Sequence, residues 1–378
     1  MELELTEEER LIRDAARKLA EAHIRPGAAE RDRKELFPLE PMKALAQGGF
    51  LAMLVPESYG GAGVGAVSYA LSLAEVSRAC ASSAVTMAVT NMVADAIHHF
   101  GNDDQRHRFL PKLASGEAVA GSFALSEPGS GSDAASLSTR AEKRGDRYLL
   151  TGTKSWITSG DRAGVVLVMA RTGGPGARGI SAFIVEPGTK GFAVGKHEDK
   201  MGLRGSSTVS LAFDEAEIPE ENRLGEEGIG FKIAMRALDG GRIGIGAQAN
   251  GIHLACLEAS RAYALDRKQF GRPIADFQGV QWKLADMATS FDAARLLVLR
   301  AASMKDAGVP FTKEASMAKV YATEAANRAA LDAVQIHGGY GYIGEFPVER
   351  HLRDVRVTMI YEGTSEIQRV VLARQLLQ

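Results

Sequence analysis

Glu362 stands in the stretch MIYEGTSEIQRVVLAR, Met359 to Arg374, where apolar residues lead up to one carboxylate and a glycine and two hydroxyl residues follow it. Ser365 and Gln368 have the S-x-x-Q spacing of a capping box, which predicts a helix beginning near Ser365. Gly363 supplies the backbone freedom for a tight entry into that helix. Glu362 is therefore expected on a loop at a helix N-terminus. Two roles suit a carboxylate there. It can stabilise the helix through the dipole, or a rigid junction can present it as a general base.

Other segments could hold a ligand for such a base. The loop LSEPGSGSD, Leu125 to Asp133, offers backbone N–H groups and hydroxyls of the kind that cradle phosphates, or it is a plain domain linker. It is not a Walker A loop, because no Gly-Lys-Ser/Thr follows. SWITSG places Trp156 and Thr158 on one side of a strand and Ile157 on the other. An aromatic plane beside a hydroxyl can flank a flat heterocycle or fill a core. LDGGRIGIG sets Gly240 and Gly241 inside a predicted helix, each costing about 1 kcal/mol relative to Ala. Close helix packing or close approach of a ligand would account for them, with Arg242 as a polar contact. DRKQFGRPIADFQ and QIHGGYGY carry Arg267, Gln269 and Gln278 near helix ends, as contacts to phosphate or sugar or as caps and turns. The two cysteines, Cys80 and Cys256, make neither a disulfide framework nor a metal site, so no metal is expected and a reducing compartment is.

The elements that must position these residues fall into three regions. Residues 1–120 read as helices: Leu11, Ile12, Ala15, Ala16 and Leu19 recur at helical spacing until Pro26, and an Ala-rich stretch runs to Gly101. DDQRHRFLPKLASGE predicts one more short helix. Residues 121–225 change texture. RYLLTGTKSWIT, GVVLVMA, ISAFIVE and STVSLAFDEAEIP are short, β-branched or alternating, and separated by Gly/Pro turns, which predicts an antiparallel sandwich or barrel. Residues 226–378 return to long helices, and four of them predict a bundle. The fold class is α+β. Of the 378 residues, 45% are hydrophobic and 24% charged, and the formal net charge is -2. That balance gives no sign of nucleic acid or a membrane surface as partner. The acidic, helix-like start MELELTEEER is neither a signal nor a transit peptide, so a cytoplasmic location is expected.

Five motifs in order, SEPGSGSD, WIT, DRKQFG, QIHGGYGY and IYEGTSEIQR, resemble the acyl-CoA dehydrogenase family over nearly the whole chain. DKMGLRGSSTVSLAFDEAEIP and LDGGRIGIG look most like its short-chain members. The resemblance implies an FAD enzyme of fatty acid β-oxidation that removes hydrogen from the α and β carbons of a short- to medium-chain acyl-CoA. It implies an electron-transferring flavoprotein as acceptor, and a homotetramer in which each FAD touches a neighbouring subunit. Carried onto this sequence, Glu362 falls on the catalytic base. Phe123, Leu125, Ser126, Gly131 and Ser132 fall on the FAD loop, and Ser132 also on an acyl-CoA contact. Trp156 and Thr158 flank the isoalloxazine. Arg267, Phe270, Gln278, Gln335 and Gly339 match positions holding the FAD dinucleotide, some across the subunit boundary. Thr364 and Glu366 match later FAD contacts. Asp239 to Arg242 and Gly363 match acyl-CoA contacts, and Tyr361 shapes the acyl pocket. Gln269 stands where a Thr is often found.

The chemistry explains the glycine. An α-proton of a thioester is weakly acidic, so the carboxylate that takes it must be made more basic. Burial raises a Glu pKa, while the following helix start pulls the other way, and desolvation is expected to win. The family's oxyanion stabilisers are the base's own backbone N–H and a ribityl hydroxyl. The resemblance also implies that the base comes from one of two places, the Y-E-G-T turn or the helix position just before the Arg of the G-G-R stretch, here Gly241. Other reactions on the same fold are an acyl-CoA oxidase, which the missing C-terminal extension speaks against, and a decarboxylating dehydrogenase. A non-catalytic CoA- or flavin-binding protein would be expected to lack an acid at both 362 and 241, whereas Glu362 is present.

Overall fold

The computed structural model describes residues 4–377 in the helical, β, helical order expected. Six helices open the chain: α1 (Glu7–Leu19), α2 (Ala28–Lys34), α3 (Leu39–Gln47), α4 (Ala66–Ala79), α5 (Ala81–Phe100) and α6 (Asp103–Ser115). The Ala-rich stretch is thus two helices, broken where Cys80 takes an extended backbone. Small side chains leave both of them buried almost throughout.

The strands are β1 (Gly121–Ala124), β2 (Arg140–Arg144), β3 (Arg147–Thr158), β4 (Val165–Arg171), β5 (Ile180–Val185), β6 (Phe192–His197), β7 (Thr208–Pro219) and β8 (Arg223–Leu224). They form one sheet in the order β6-β7-β3-β2-β4-β5-β8, with β1 also on β4. Most neighbours are antiparallel, but β1 and β2 both pair with β4 in parallel. Gly121 to Ala124 lie opposite Val165 to Val168, and Arg140 opposite Arg171, so β1 and β2 occupy successive lengths of one edge of β4. The chain between them leaves the sheet and returns to it. That excursion is the Gly/Ser loop.

β4 and β5 are buried on both faces. Val165, Leu167, Met169, Ile180, Ala182 and Ile184 point into the helical core, while Val166, Val168, Ala170, Phe183 and Val185 line the sheet's own core. This is why GVVLVMA and ISAFIVE read as continuous apolar runs and not as alternation.

The last third holds α7 (Gly230–Asp266), a short hairpin of β9 (Lys268–Gln269) and β10 (Arg272–Pro273), then α8 (Gln278–Asp306), α9 (Thr312–His337), α10 (Val348–Arg356) and α11 (Ser365–Leu376). α7, α8 and α9 pack on one another, and α11 lies on α9. α4 also packs on α7 and α8, so the two helical regions share one core. Gly251 permits that approach, since a methyl there would stand 2.2 Å from the carbonyl oxygen of Ala74. α10, nine residues with Val348, Leu352 and Val355 on one face, is an element not expected from the sequence; it packs against α9 and α7 ahead of the Glu362 turn. No helix among the described residues is long and apolar enough to cross a membrane. Among them no cluster of His, Cys, Asp and Glu could hold a metal ion.

Candidate active site

Glu362 and Gly363 both have left-handed backbone, with φ of +52° and +91°. For Gly363 that costs little, but for Glu362 it costs on the order of 1–2 kcal/mol, so the surroundings must hold it. Three side-chain hydrogen bonds do. Gln368 Nε2 donates to the carbonyls of Glu362 (3.1 Å) and Gly363 (2.9 Å), and Lys319 Nζ donates to that of Gly363 (2.7 Å). The expected capping box is displaced by one residue. Thr364, whose extended backbone suits an N-cap, caps α11 by accepting from the amide of Ile367 at 3.3 Å. Ser365 is already helical, and Gln368 is spent on the turn carbonyls.

The Glu362 carboxyl lies against Gly241 of α7. A methyl at Gly241 would stand 1.9 Å from Glu362 Oε2, so this glycine makes the space the carboxyl occupies. Oε2 is buried and has no hydrogen-bond partner. Burial raises the Glu362 pKa to about 7, against the opposing pull of Lys319 and Arg242. Arg242 is itself buried and donates to Asp239 (2.6 Å), whose other oxygen accepts from the hydroxyl of Thr312 (2.7 Å). The hydroxyl of Tyr361 donates to Gln248 Oε1. The backbone N–H of Glu362 has no acceptor among the described residues.

A cavity of about 600 Å³ opens beside this turn. Ser126, Gly131, Ser132, Trp156, Thr158, Tyr361, Glu362, Gly363 and Thr364 all line it, together with the 198–203 segment and the end of α10. The fold thus brings together three stretches far apart in sequence. The Gly/Ser loop is pinned from beneath by a buried ion pair: Lys154 Nζ donates to Glu127 Oε1 (2.7 Å) and to the carbonyl of Leu125 (3.0 Å). Glu127 also accepts from the amides of Ser138 (2.6 Å) and Thr139 (3.0 Å). Burial would raise its pKa, but Lys154 and Thr139 outweigh that and hold the carboxyl down to about 2. Trp156 has φ +59° and is 58% exposed, while Ile157 is buried. An irregularity in the β3–β7 register between Lys154 and Ile157 turns the indole outward toward the cavity.

The remaining residues lie elsewhere. Arg267 and Gly339 line a separate depression, where the Arg267 guanidinium sits 5.5 Å from the Tyr340 ring centroid. Phe270 is 93% exposed at the tip of the β9–β10 hairpin. Gln278 begins α8 and Gln335 lies in the last turn of α9, both exposed, as is Glu366. Phe123 is half-buried in β1, and Leu125 is core. Asp239 and Arg242 stand behind the Glu362 carboxyl and do not line the cavity. Lys319 and the Glu127–Lys154 pair are functional candidates that the sequence does not single out, and Gln368, expected only as part of a capping box, holds the turn instead. For Lys319 a signal exists: with Ala315, Ala322 and Ala326 it forms one helical stripe, and that stripe is buried.

Three family models cover most of the chain. They are described as the N-terminal, middle and C-terminal domains of acyl-CoA dehydrogenase, and match residues 6–117, 122–216 and 228–377. An acyl-CoA dehydrogenase of Bacillus subtilis (strain 168) is 51% identical over 377 residues, which cover 99% of each chain. The mitochondrial short-chain specific acyl-CoA dehydrogenase of Mus musculus is 48% identical over 378 residues, all of this chain and 92% of that one. The solved structure of butyryl-CoA dehydrogenase from Megasphaera elsdenii has a TM-score of 0.98 and 43% identity, covering 100% of both chains.

Proposed function

Because the chain belongs to the acyl-CoA dehydrogenase family, we propose that it converts a short- to medium-chain acyl-CoA to the trans-2-enoyl-CoA, with Glu362 as the base that removes the α-proton. The observation that carries this reading is the buried, unpartnered carboxyl oxygen of Glu362 at the wall of the cavity, on a carboxyl whose pKa burial raises to about 7. A base with its pKa near the operating pH is well matched to proton abstraction. The free backbone N–H of Glu362 supports a second role, as a donor to the thioester oxygen while negative charge develops there. Tyr361 and Gly363 flank the acyl group, Ser132 meets the CoA, and Asp239 and Arg242 back the base.

The residues present fit a flavin. At Gly129 and Gly131 a side chain would meet open space, so the loop leaves room for a group to approach its backbone. The half-exposed Trp156 ring supplies a flat wall beside the Thr158 hydroxyl. Ser126, Gly131, Ser132, Trp156, Thr158 and Thr364 would hold FAD at this cavity, with Phe123, Leu125 and Glu366 flanking it. A bound FAD supplies the two-electron acceptor for the β-hydrogen, and an electron-transferring flavoprotein is the proposed onward acceptor. α7 keeps Glu362 aimed, because Gly241 makes the space its carboxyl occupies.

Arg267, Phe270, Gln278, Gln335 and Gly339 are remote from this cavity, which supports a homotetramer in which they reach the FAD of a neighbouring copy. Dissociating the oligomer is then expected to release flavin. A monomer with full FAD occupancy by light scattering and absorbance would refute that arrangement. The cytoplasmic setting and the division at about residues 120 and 225 belong to the same reading. The activity itself is tested by adding straight-chain acyl-CoAs of increasing length to the purified protein under anaerobic conditions. The flavin absorbance should bleach, most readily with the shorter acyl groups. No bleaching by any of them would rule the reading out, and rapid oxygen consumption on admission of air would favour an oxidase.

A further inference from the structure

We propose that Lys319 is a positioning residue for the base: its buried ammonium holds the left-handed turn that aims Glu362 and sets the charge environment of that carboxyl. The proposal rests on the reading of Glu362 as the base. Lys319 is fully buried on α9, and its Nζ donates to the Gly363 carbonyl at 2.7 Å. Among the described residues it forms no ion pair with a carboxylate. A buried charge without one is costly, so an alanine-rich helix that places a lysine at this point sacrifices stability there. The cost falls beside the one turn where the strained backbone of Glu362 has to be held.

The two donors to this turn differ in kind. Gln368 is neutral and bonds both carbonyls; Lys319 is cationic and bonds one. Either can hold geometry, but only Lys319 also acts through charge. Around the base, Lys319 from α9 and Arg242 from α7 are the cations that favour its ionised form. Arg242 is already engaged by Asp239, which leaves Lys319 as the cation not neutralised by a carboxylate partner. Tyr69 from α4 and Tyr361 from the turn itself are the other titratable groups close enough to feel Glu362. Glu324 and Glu366 act on Lys319 from the outer side, where Glu324 is paired with Arg369 at 2.7 Å and Glu366 is exposed. Burial lowers the Lys319 pKa to about 8, and Glu362 pulls it back up. The ammonium and the carboxyl thus support each other's charged forms.

Three variants separate charge from geometry: Lys319→Met, Lys319→Arg and Gln368→Leu, each purified with FAD bound and assayed for kcat and KM across pH. Lys319→Met is expected to lower kcat roughly ten- to hundredfold with little change in KM, as a misaimed catalytic group does. It should also move the acid limb of the kcat/KM profile to higher pH, because the cation that favoured the carboxylate is gone. Lys319→Arg should restore the position of that limb while leaving kcat reduced. Gln368→Leu should lower kcat without moving the limb. If Lys319→Met fails to fold, the last two variants still decide. A limb that moves in Gln368→Leu, or one that stays displaced in Lys319→Arg, overturns the proposal. So does a Lys319→Met enzyme that binds FAD and keeps the wild-type limb. Glu362→Gln serves as control: if it still turns over, the assignment of the base fails, whereas an inactive Glu362→Gln with an unmoved limb in the Lys319 variants rejects this proposal alone.

Discussion

Replacing Glu362 with Gln is expected to cut dehydrogenation by roughly a thousandfold, within the range typical of lost general acid–base catalysis. Glutamine has nearly the shape of the carboxyl, so the turn and the flavin should remain. The same substitution should make the protein more stable above neutral pH. The folded carboxyl has its pKa raised to about 7 from an ordinary 4.5, chiefly by burial. Stability from this group is therefore fully present below about pH 4.5 and is lost as pH rises toward 7. Above 7 the buried charge costs about 3 kcal/mol, since each tenfold change in proton affinity is worth about 1.36 kcal/mol. Glu362→Gln should thus melt higher than the wild type at pH 8 and about level with it at pH 4. A variant that keeps near-normal turnover would end the assignment of Glu362 as base. Equal melting differences at both pH values would show that the folded carboxyl does not have a raised pKa.

Gly241→Ala is the second substitution with a large expected effect. Its methyl would fall 1.9 Å from Oε2 and 2.7 Å from the Glu362 carboxyl carbon, so the carboxyl must leave the place it occupies. A small displacement of a catalytic group costs on the order of 100-fold in rate, and a loss of about that size is expected here. The helix itself should gain about 1 kcal/mol in propensity, so the variant should fold. The same geometry predicts a partial rescue. In the double variant Glu362→Gly, Gly241→Glu, the new side chain enters the space the old carboxyl vacates. It should recover part of the activity that Glu362→Gly loses, with a changed preference for acyl length because it approaches along another line. Rates of the single and double variants on a series of acyl-CoAs decide this. A Gly241→Ala enzyme at full speed, or a double variant no faster than Glu362→Gly on every substrate, would show that the two positions do not share one space.

What the sequence discloses of this site follows from how each residue announces itself. Glu362, Gly363 and the Gly/Ser loop stand out because their types are unusual where they sit, and three stretches of the expected set meet at one cavity. The S-x-x-Q spacing points one residue past the true cap because Thr364 and Ser365 are equally good caps by type. Only backbone conformation separates them. Lys319 and the Glu127–Lys154 pair escape notice because a charged side chain is normally assigned to solvent. Their burial depends on helices and strands remote in sequence. The parallel pairing of β1 and β2 with β4 is hidden for a related reason. Short strands joined by turns suggest hairpins, and no local pattern marks two strands that share an edge of a third. α10 does carry a helical stripe, Val348, His351, Leu352 and Val355, but over only nine residues it is too short to stand out beside the long helices.

The two-faced strands β4 and β5 bear on whether the β region could stand alone. A sheet with its own core suggests an exchangeable part, one that could be lifted into another protein intact. Here Val165, Leu167, Met169, Ile180, Ala182 and Ile184 belong to the helices' core and not to the sheet's. Cut free of α7, those side chains would form a contiguous sticky surface. The β region is therefore not a transplantable module. Residues 121–225 expressed without the helices would expose that surface and are expected to aggregate.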